Sequence, residues 1–231
     1  SGTEKILKSV PYSVADCLCK ACGKCQEVCP ANAILAKDGK VQAIDTGKCT
    51  FCRECEIACQ NNTIRFSKEY RMGVMTRENL LANGQIYEPE RPTNREFLKF
   101  CGRSLKIRQI SAGGCAACEL DFNVLGTLAW DMGRFGISVV ASPRHADGVL
   151  VTGPITKNMA LALEKTHAAM PEPNVTIACG TCAISGGIYA DSAETSPELM
   201  EKFKPDLFIP GCPPHPATTL DALVRLCGIL K

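Results

Sequence analysis

Cysteines in glycine turns are the residues of this sequence whose type and spacing point most clearly to chemistry. Cys115-Ala116-Ala117-Cys118 places two thiols three positions apart after a Gly-Gly pair, and Cys182 and Cys212 follow far downstream, each in its own glycine turn. Thiolate sulfur is a preferred ligand of soft metal ions and of iron–sulfur clusters. Four thiols delivered by three turns therefore predict one buried metal site, which the remaining elements must position.

Cysteine is also the outlier of the composition, with 16 in 231 residues. Disulfide-dense chains are typically small secreted domains, whereas this chain is long enough for one large domain or two smaller ones. Residues 1–12 contain no apolar segment of a signal peptide, and most thiols fall at tight spacings. The composition therefore predicts metal ligation in a reducing, cytoplasmic environment rather than a disulfide framework.

Charge and hydropathy exclude two other classes of protein. The formal net charge of +2 gives no electrostatic footprint for nucleic acid. No apolar run approaches the length that spans a bilayer. Because 45% of the residues are hydrophobic, we expect a globular protein with a substantial core that binds no nucleic acid.

Eight further cysteines form a repeated motif near the start of the chain. The spacing C-x-x-C-x-x-C-x-x-x-C begins at Cys19 and again at Cys49, and both copies continue into similar residues, 29–34 and 59–64. An internal repeat predicts two similar half-units packed against each other. Three thiolates at these intervals can wrap one face of a 4Fe–4S cube, so a fourth must come from elsewhere. The eight cysteines are Cys19, Cys22, Cys25 and Cys29, followed by Cys49, Cys52, Cys55 and Cys59.

This repeat resembles the bacterial two-cluster ferredoxins, in which the fourth cysteine of each run ligates the other cluster. Gln60 stands where that family usually has proline, a departure that removes no ligand. Paired zinc sites are the alternative, and zinc leaves half of the eight thiols in need of another partner. The resemblance implies one 4Fe–4S cluster on Cys19, Cys22, Cys25 and Cys59, and a second on Cys49, Cys52, Cys55 and Cys29.

The chain divides into three parts by its patterns. Residues 1–66 form the ferredoxin-like domain, a small α+β unit in which Val41–Ile44 alternates as a short strand. Residues 67–104 are charged and without clear periodicity, which favours a linker lying on a partner. Within it, Thr93-x-x-Glu96 is typical of a helix start and predicts a short helix that ends near residue 101.

Residues 105–231 alternate between apolar runs and helical patterns, which predicts an α/β fold with a parallel sheet covered on both faces. Ligands of such sheets bind beyond the carboxyl ends of the strands. Since the cysteine turns follow three of the strands, we expect the four thiols named first to converge at one edge. The predicted strands are 105–110, 137–141, 148–152, 175–179 and 207–209, and the predicted helices are 119–132, 157–170, 196–203 and one opened by Pro216.

Six motifs of this second domain together resemble one superfamily. It joins the small subunits of energy-converting nickel–iron hydrogenases to the cluster-N2 subunit of respiratory complex I. The resemblance implies a flavodoxin-like fold with a third 4Fe–4S cluster, the one nearest the partner's active site, on Cys115, Cys118, Cys182 and Cys212. The motifs are Gly113-Gly114-Cys115-x-x-Cys118-Glu119, Ser142-Pro143-Arg144-His145-Ala146-Asp147, Thr152-Gly153-Pro154, Met170-Pro171-Glu172-Pro173, Gly180-Thr181-Cys182-Ala183-x-Ser185-Gly186-Gly187 and Ile209-Pro210-Gly211-Cys212-Pro213-Pro214.

The first cysteine pair separates the two branches of the superfamily. The complex I subunit has adjacent cysteines there, whereas Cys115-x-x-Cys118 is similar to the hydrogenase small subunits. Lys231 follows shortly after the last predicted helix, so we do not expect the additional cluster domain of uptake hydrogenases. The resemblance therefore points to the membrane-bound, energy-converting (group 4) enzymes, with a ferredoxin-like unit fused at the N-terminus.

The resemblance implies an electron-transfer subunit of an oxidoreductase complex rather than its catalytic subunit. Three 4Fe–4S clusters would pass electrons between a low-potential donor such as ferredoxin and a catalytic large subunit, which holds the nickel. Membrane subunits would keep the chain peripheral on the inner face of the cell membrane. The alternative is a related complex I-like module without nickel that reduces a quinone or another acceptor.

Five residues stay outside these ligand sets. Glu119 is either a proton relay beside the third cluster or an acid favoured by the first turn of a helix. Cys179 ends a predicted strand and is expected to point into the sheet face, and Cys227 fits an apolar helix stripe. Cys17 is interpreted as a spare thiol near a cluster, and Cys101 as a small core residue.

Overall fold

The structure is a computed structural model that describes residues 11–13, 19–83, 98–99, 104–196 and 198–230, with the backbone alone for 11–13. The part before residue 84 has short strands and two short α-helices. They are β1 (Pro11–Ser13), α1 (Lys24–Glu27), β2 (Ile34–Lys37), β3 (Lys40–Asp45), α2 (Glu54–Ala58), β4 (Ile64–Phe66) and β5 (Leu81–Ala82), with a 3-10 turn at Glu78–Leu80.

The repeated cysteine motifs fold as two similar units. α1 lies inside the first motif and α2 inside the second, and each is followed by a strand. β2 and β3 form an antiparallel hairpin, and β4 pairs antiparallel with β1. Ile34 and Ile64, which hold equivalent places in the repeat, are both buried in one shared core. The predicted packing of two half-units and the strand at Val41–Ile44 are therefore confirmed.

The part after residue 103 contains a five-stranded sheet in the order β7-β6-β8-β9-β10, in which every neighbouring pair is parallel. Numbered along the chain, this order is 2-1-3-4-5, which is that of flavodoxin. The strands are β6 (Leu105–Ser111), β7 (Ile137–Val139), β8 (Gly148–Thr152), β9 (Val175–Cys179) and β10 (Leu207–Ile209). The α-helices are α3 (Ala117–Asn123), α4 (Lys157–Ala168), α5 (Thr181–Ser185), α6 (Glu198–Phe203) and α7 (Pro216–Leu226).

Helices cover both faces of this sheet. Leu150 packs with α3 and α7 in one core, whereas its neighbours Val149 and Val151 pack with α4 and α6 in another. Successive residues of a strand point to opposite faces, so one apolar strand supplies both cores. The predicted fold class, a flavodoxin-like α/β domain preceded by a small ferredoxin-like unit, is confirmed. None of the helices in the described ranges has both the length and the hydropathy of a membrane-spanning segment.

The helix predicted at 119–132 was too long. α3 ends at Asn123 and gives way to a 3-10 turn at Val124–Gly126, and a second 3-10 turn follows at Met132–Phe135. Asp131 has a left-handed backbone with φ of 42°, which no α-helix accommodates. Buried side chains such as Leu125 produced the helical pattern, although they anchor turns to the core.

The connector was predicted as a linker that lies on a partner, and its part up to residue 83 packs within the chain. Val74 forms an antiparallel bridge to Phe208 at the edge of the sheet, with N–O distances of 3.0 and 2.8 Å. Met72 and Leu80 are buried, and β5 pairs with β3. The helix predicted after Thr93 lies outside the described residues, except that 98–99 are helical. The three domain boundaries stay a prediction.

Gly73 gives a test of this packing. A Cβ added to Gly73 would lie 2.4 Å from Cβ of Ala222 in α7. We expect Gly73→Ala to destabilise the protein by about 1–3 kcal/mol, because overpacking forces backbone shifts. A thermal unfolding scan should show a melting temperature lower by about 2–4 °C for each kcal/mol.

Gly126→Ala is the matched control for this prediction. A Cβ at Gly126 has no heavy atom within 4 Å, so its effect should stay within about 0.5 kcal/mol. Equal melting temperatures for the two variants would contradict the close packing of the connector on α7.

Candidate iron–sulfur centres

The first thiol group consists of Cys19, Cys22, Cys25 and Cys59. The first three belong to the loop and helix of the first motif, whereas Cys59 directly follows α2 of the second. All four line one cleft, together with Thr63 and Ile64. Burial raises the pKa of Cys25, and the neighbouring thiols Cys59, Cys19 and Cys22 raise it further. The fold therefore brings a thiol of the second motif to three of the first.

The second thiol group consists of Cys49, Cys52, Cys55 and Cys29. Burial raises the pKa of Cys49 and that of Cys55 to about 12 each, and the thiols of Cys29 and Cys52 add to both increases. Cys29 therefore lies near Cys49 and Cys55 of the second motif. Cys25 of the first thiol group also raises the pKa of Cys55, so the two groups lie beside each other.

The third thiol group, Cys115, Cys118, Cys182 and Cys212, lies where β6, β9 and β10 end. Burial raises the pKa of Cys118 to about 12, with further increases from Cys182, Glu119, Cys212 and Cys115. Burial likewise raises the pKa of Cys182 to about 11, followed by Cys212 and Cys115. Parallel strands end at one edge, so three distant turns deliver four thiols to one place.

The backbone between paired thiols has the same unusual conformation in all three groups. The residue after the first cysteine of a Cys-x-x-Cys turn is the N-cap of a helix, with φ of 72° at Gly23, 68° at Arg53 and 68° at Ala116. This left-handed geometry costs about 1–2 kcal/mol in a residue that carries a side chain. Two of the three turns therefore hold strain at the site where thiols are gathered.

Gly180, beside the third thiol group, is explained by how closely its backbone approaches the sulfur of Cys118. A Cβ added at Gly180 would lie 2.6 Å from Sγ of Cys118, and φ of 91° at this residue is a conformation that glycine adopts without strain. A side chain at this position would displace the thiol. The glycine turn before Cys182 thus brings backbone close to a cysteine of another turn.

The remaining cysteines of the described residues are core residues. Cys179 is 1% exposed at the end of β9 and belongs to a hydrophobic core, which confirms the expected direction of its side chain. Burial raises its pKa well above the ordinary value. Cys227 lies in the same core, as the helix stripe predicted. Cys17 and Cys101 lie outside the described residues.

The donor sets fit 4Fe–4S clusters. Backbone amides of Ala33, Phe51 and Thr63 donate to the sulfurs of Cys29, Cys49 and Cys59 at 3.2–3.3 Å. Bound iron would supply the positive charge that stabilises buried thiols, which raise one another's pKa, as thiolates. No three His, Cys, Asp or Glu side chains in the described ranges lie close enough to hold a single metal ion.

Thr63 adds a second observation in favour of a sulfur-rich group. Its hydroxyl is buried and forms no well-aligned hydrogen bond with any described residue, although the residue lines the cleft of the first thiol group. Burial would raise the pKa of Cys59, but the amides of Ile64 and Thr63 and the Thr63 hydroxyl together lower it. These donors favour the thiolate of Cys59, which is the form that ligates iron.

Glu119 lies in the first turn of α3, beside Cys118. Its Oε1 accepts a hydrogen bond of 2.7 Å from the hydroxyl of Thr152 at the end of β8. Burial would raise the pKa of Glu119, but hydrogen bonds from Ser111 and Thr152 outweigh it and lower the pKa. The carboxylate is therefore held in its ionised form next to the third thiol group.

Sequence reasoning missed the contacts that join the two parts of the chain. The Thr181 hydroxyl donates to the Cys49 carbonyl at 2.8 Å across 132 positions, and the Ser185 hydroxyl donates to the Gly47 carbonyl at 2.9 Å across 138 positions. Neither pair follows a periodic pattern or a motif spacing. No signal in a single sequence would have indicated them.

Comparison with known proteins identifies the family. The model described as NADH ubiquinone oxidoreductase, 20 Kd subunit, matches residues 115–226, and that of a 4Fe-4S dicluster domain matches residues 18–64. The probable membrane-bound hydrogenase subunit mbhJ of Pyrococcus furiosus is 36% identical over 140 residues, which are 59% of this chain and 84% of that protein. The chain belongs to the NADH ubiquinone oxidoreductase 20 Kd subunit family.

Two further relatives match over a smaller share of their length. NAD(P)H-quinone oxidoreductase subunit K of Picosynechococcus sp. is 42% identical over 114 residues, 49% of this chain and 47% of that protein. Formate hydrogenlyase subunit 7 of Escherichia coli is 37% identical over 135 residues, 58% of this chain and 53% of that protein. The chain thus spans about half the length of these two relatives. The prediction of an oxidoreductase subunit of this family, with a dicluster ferredoxin domain, is confirmed.

Iron content separates a ligand of the third thiol group from its core neighbour. We expect the anaerobically purified chain to carry about twelve iron atoms and Cys182→Ala to carry about eight, because one four-iron cluster is lost. Cys179→Ala, the same change three residues earlier, should keep about twelve. If Cys179→Ala lost iron and Cys182→Ala kept it, Cys179 would be the cluster ligand and Cys182 would not.

Proposed function

We propose that this chain is the electron-transfer subunit of a membrane-associated nickel–iron hydrogenase complex. It passes electrons through three 4Fe–4S clusters between a low-potential donor such as ferredoxin and the catalytic large subunit. The observation that carries the proposal is a series of three thiol groups that ends at an exposed Cys115-x-x-Cys118 turn. Relatives named as hydrogenase and formate hydrogenlyase subunits support the choice of complex.

The contacts between the groups support one order of electron transfer. The first and second thiol groups are neighbours through Cys25 and Cys55. The second and third are joined where the hydroxyl of Thr181, which precedes Cys182, meets the carbonyl of Cys49. With clusters bound on these cysteines, electrons would move between the donor and the third group through the first group and then the second.

The role proposed for this chain is to hold clusters, and catalysis is assigned to the large subunit. Residues 1–66 would carry two clusters, residues 105–231 the third, and residues 67–104 connect them. Each bound cluster supplies a centre that accepts and releases one electron. The protein sets the spacing of these centres, keeps water from the buried sulfurs, and directs amide donors to them. Proton reduction or hydrogen oxidation belongs to the large subunit.

The electron-accepting end is basic. Segment 19–40 has four lysines and two acidic residues, whereas segment 41–66 has three basic residues, one of them a lysine, and three acidic residues. Lys20 and Lys24 are exposed and line the cleft of the first thiol group beside exposed Cys22. The β2–β3 turn, flanked by exposed lysines, lies against the same loop, since a Cβ at Gly39 would be 2.8 Å from that of Ala21. This surface fits an acidic protein donor.

The other end is apolar. Cys115 is exposed at the carboxyl edge of the sheet, and α3 begins beside it. Three hydrophobic side chains in and after this helix are exposed: Leu120 at 64%, Val124 at 36% and Leu128 at 100%. Exposed apolar side chains beside the last thiol group are consistent with cover by a large subunit, which completes the path to its active site.

Reversal of charge tests the donor surface. We expect the double variant Lys20→Glu, Lys24→Glu to be reduced by an acidic ferredoxin about tenfold more slowly at low ionic strength, because electrostatic steering is lost. The rate of the unchanged protein should fall as salt rises, and that of the variant should depend less on salt. Stopped-flow absorbance of the clusters gives both rates.

Lys165→Glu on α4 is the control, since it changes an exposed lysine outside the basic segment. Its reduction rate should equal that of the unchanged protein. An unchanged rate in the double variant would show that the donor does not bind at the basic surface. It would not contradict the proposed series of three clusters.

A complex I-like module without nickel is the second candidate, and the match to a NAD(P)H-quinone oxidoreductase subunit favours it. The deciding experiment is purification of the native complex through this chain, with metal analysis and hydrogen assays. We expect nickel in the large subunit and hydrogen turnover driven by a reduced low-potential donor. A complex without nickel that reduces a quinone would overturn the hydrogenase proposal in favour of the second candidate.

A further inference from the structure

Thr181 contacts three cluster-ligand turns at once. It immediately precedes Cys182, and its own amide donates to the carbonyl of Gly211, which precedes Cys212, at 2.9 Å. Its hydroxyl lies 2.8 Å from the carbonyl of Cys49 and 3.1 Å from that of Gly211. The residue is 1% exposed, so these contacts are shielded from water. One side chain thus links the second thiol group to two turns of the third.

Ser185 repeats the contact one helical turn later. Its hydroxyl donates to the carbonyl of Gly47 at 2.9 Å, two residues before Cys49. Gly47 leaves no room for a side chain, because an added Cβ would lie 2.8 Å from Leu80 and 2.9 Å from Ile184. α5 therefore sits directly on the loop that leads to Cys49.

An ion pair holds this loop in shape from the other side. The carboxylate of Asp45 accepts the Gly47 amide at 2.9 Å and two guanidinium hydrogen bonds from Arg77 at 3.0 and 2.6 Å. Asp45 is 6% exposed, and a bidentate pair of this kind restricts its orientation as well as binding it. The side of the loop away from α5 is thus held by Arg77 of the connector.

We propose that Thr181, supported by Ser185, is a positioning residue for electron transfer between the second and third clusters. The inference rests on the proposed three-cluster function. The hydrogen bond from Thr181 to the Cys49 carbonyl would fix the spacing of clusters held by the two cysteine groups and provide a bonded route between them. The route leaves the sulfur of Cys49, follows its backbone to the carbonyl, crosses to the Thr181 hydroxyl and reaches Cys182 through one peptide bond. With clusters held by these cysteines, one electron would leave the second and enter the third, and the route itself requires no proton transfer.

The rate of electron transfer between the two clusters should be sensitive to small changes at Thr181. Electron transfer between fixed centres falls steeply with distance, and covalent and hydrogen bonds carry it better than a van der Waals gap. Loss of the hydroxyl leaves the buried Cys49 carbonyl without this donor, which favours separation of the two surfaces. A residue that only stabilised the fold would change the melting temperature without changing the interaction between two intact clusters.

Thr181→Val tests the proposal, because valine keeps the shape and removes the hydroxyl. The complex is purified with each variant, its iron is measured, and two readouts are taken at full iron content. Electron paramagnetic resonance of the fully reduced protein reports the magnetic interaction between the second and third clusters. Rapid freezing after photoreduction reports the rate at which the third cluster is reduced.

We expect Thr181→Val to retain about twelve iron atoms, to show a weaker magnetic interaction, and to reduce the third cluster at least several-fold more slowly. Thr181→Ser keeps a hydroxyl and should restore both readouts in large part. Gly47→Ala, which pushes the loop away from α5, should weaken them as Thr181→Val does. The control is Thr176→Val at the opposite end of β9, which removes another buried hydroxyl, bound to His167, and should leave both readouts unchanged.

Unchanged spectra and an unchanged rate in Thr181→Val would overturn the inference. Equal effects of Thr181→Val and Thr176→Val would also overturn it, because they would indicate general destabilisation. The failure of the proposed function looks different: the unchanged protein itself would then lack the third cluster signal or contain only about eight iron atoms.

Discussion

The constraint on which the structure depends is that thiolates must be gathered where they repel one another. Burial and neighbouring thiols raise the pKa of Cys49, Cys55 and Cys118 to about 12, so bound positive charge favours the thiolates that act as ligands. Each group depends on a backbone that brings its thiols together. The two parts of the chain meet this need by different routes.

The ferredoxin-like part uses a repeat and exchanges one ligand between its halves, so neither half is a complete site by itself. The flavodoxin-like part uses sheet topology, since strands that run parallel release their loops at one edge. In spite of this difference, the two parts share one local backbone conformation. In both, a left-handed residue follows the first thiol of a Cys-x-x-Cys turn and starts a short helix. Similar local geometry on unrelated folds indicates that the thiol pair, rather than the fold, determines the turn.

The sequence was sufficient to predict the parts of the fold whose residues repeat or alternate in a regular pattern. Strands 148–152, 175–179 and 207–209 were predicted with their observed bounds, because each is a short apolar run between turn residues. The assignment of Cys179 and Cys227 to the core followed from the same patterns. The long helix after Cys118 was wrong because apolar spacing cannot distinguish one helix from successive 3-10 turns. The packing of the connector was missed because its buried residues, such as Val74, have no regular period.

The contacts of α5 could not be predicted because they depend on how two separately patterned units meet. Thr181 and Gly47 are recognisable as important only when the partner carbonyl or the neighbouring side chain is known. Local sequence therefore determined which residues could hold clusters, and the tertiary packing determined how the cluster sites are spaced.

The bridge between Val74 and Phe208 has a consequence for assembly. It occupies the outer side of β10, an edge strand that would otherwise present unpaired backbone groups to other chains. The segment that covers this edge is also the tether of the ferredoxin-like unit, so the two units meet at the high effective concentration of an intramolecular contact. Their stoichiometry is fixed at one to one by covalent linkage. A separate ferredoxin subunit would have to reach the same position by diffusion and could be lost on dilution.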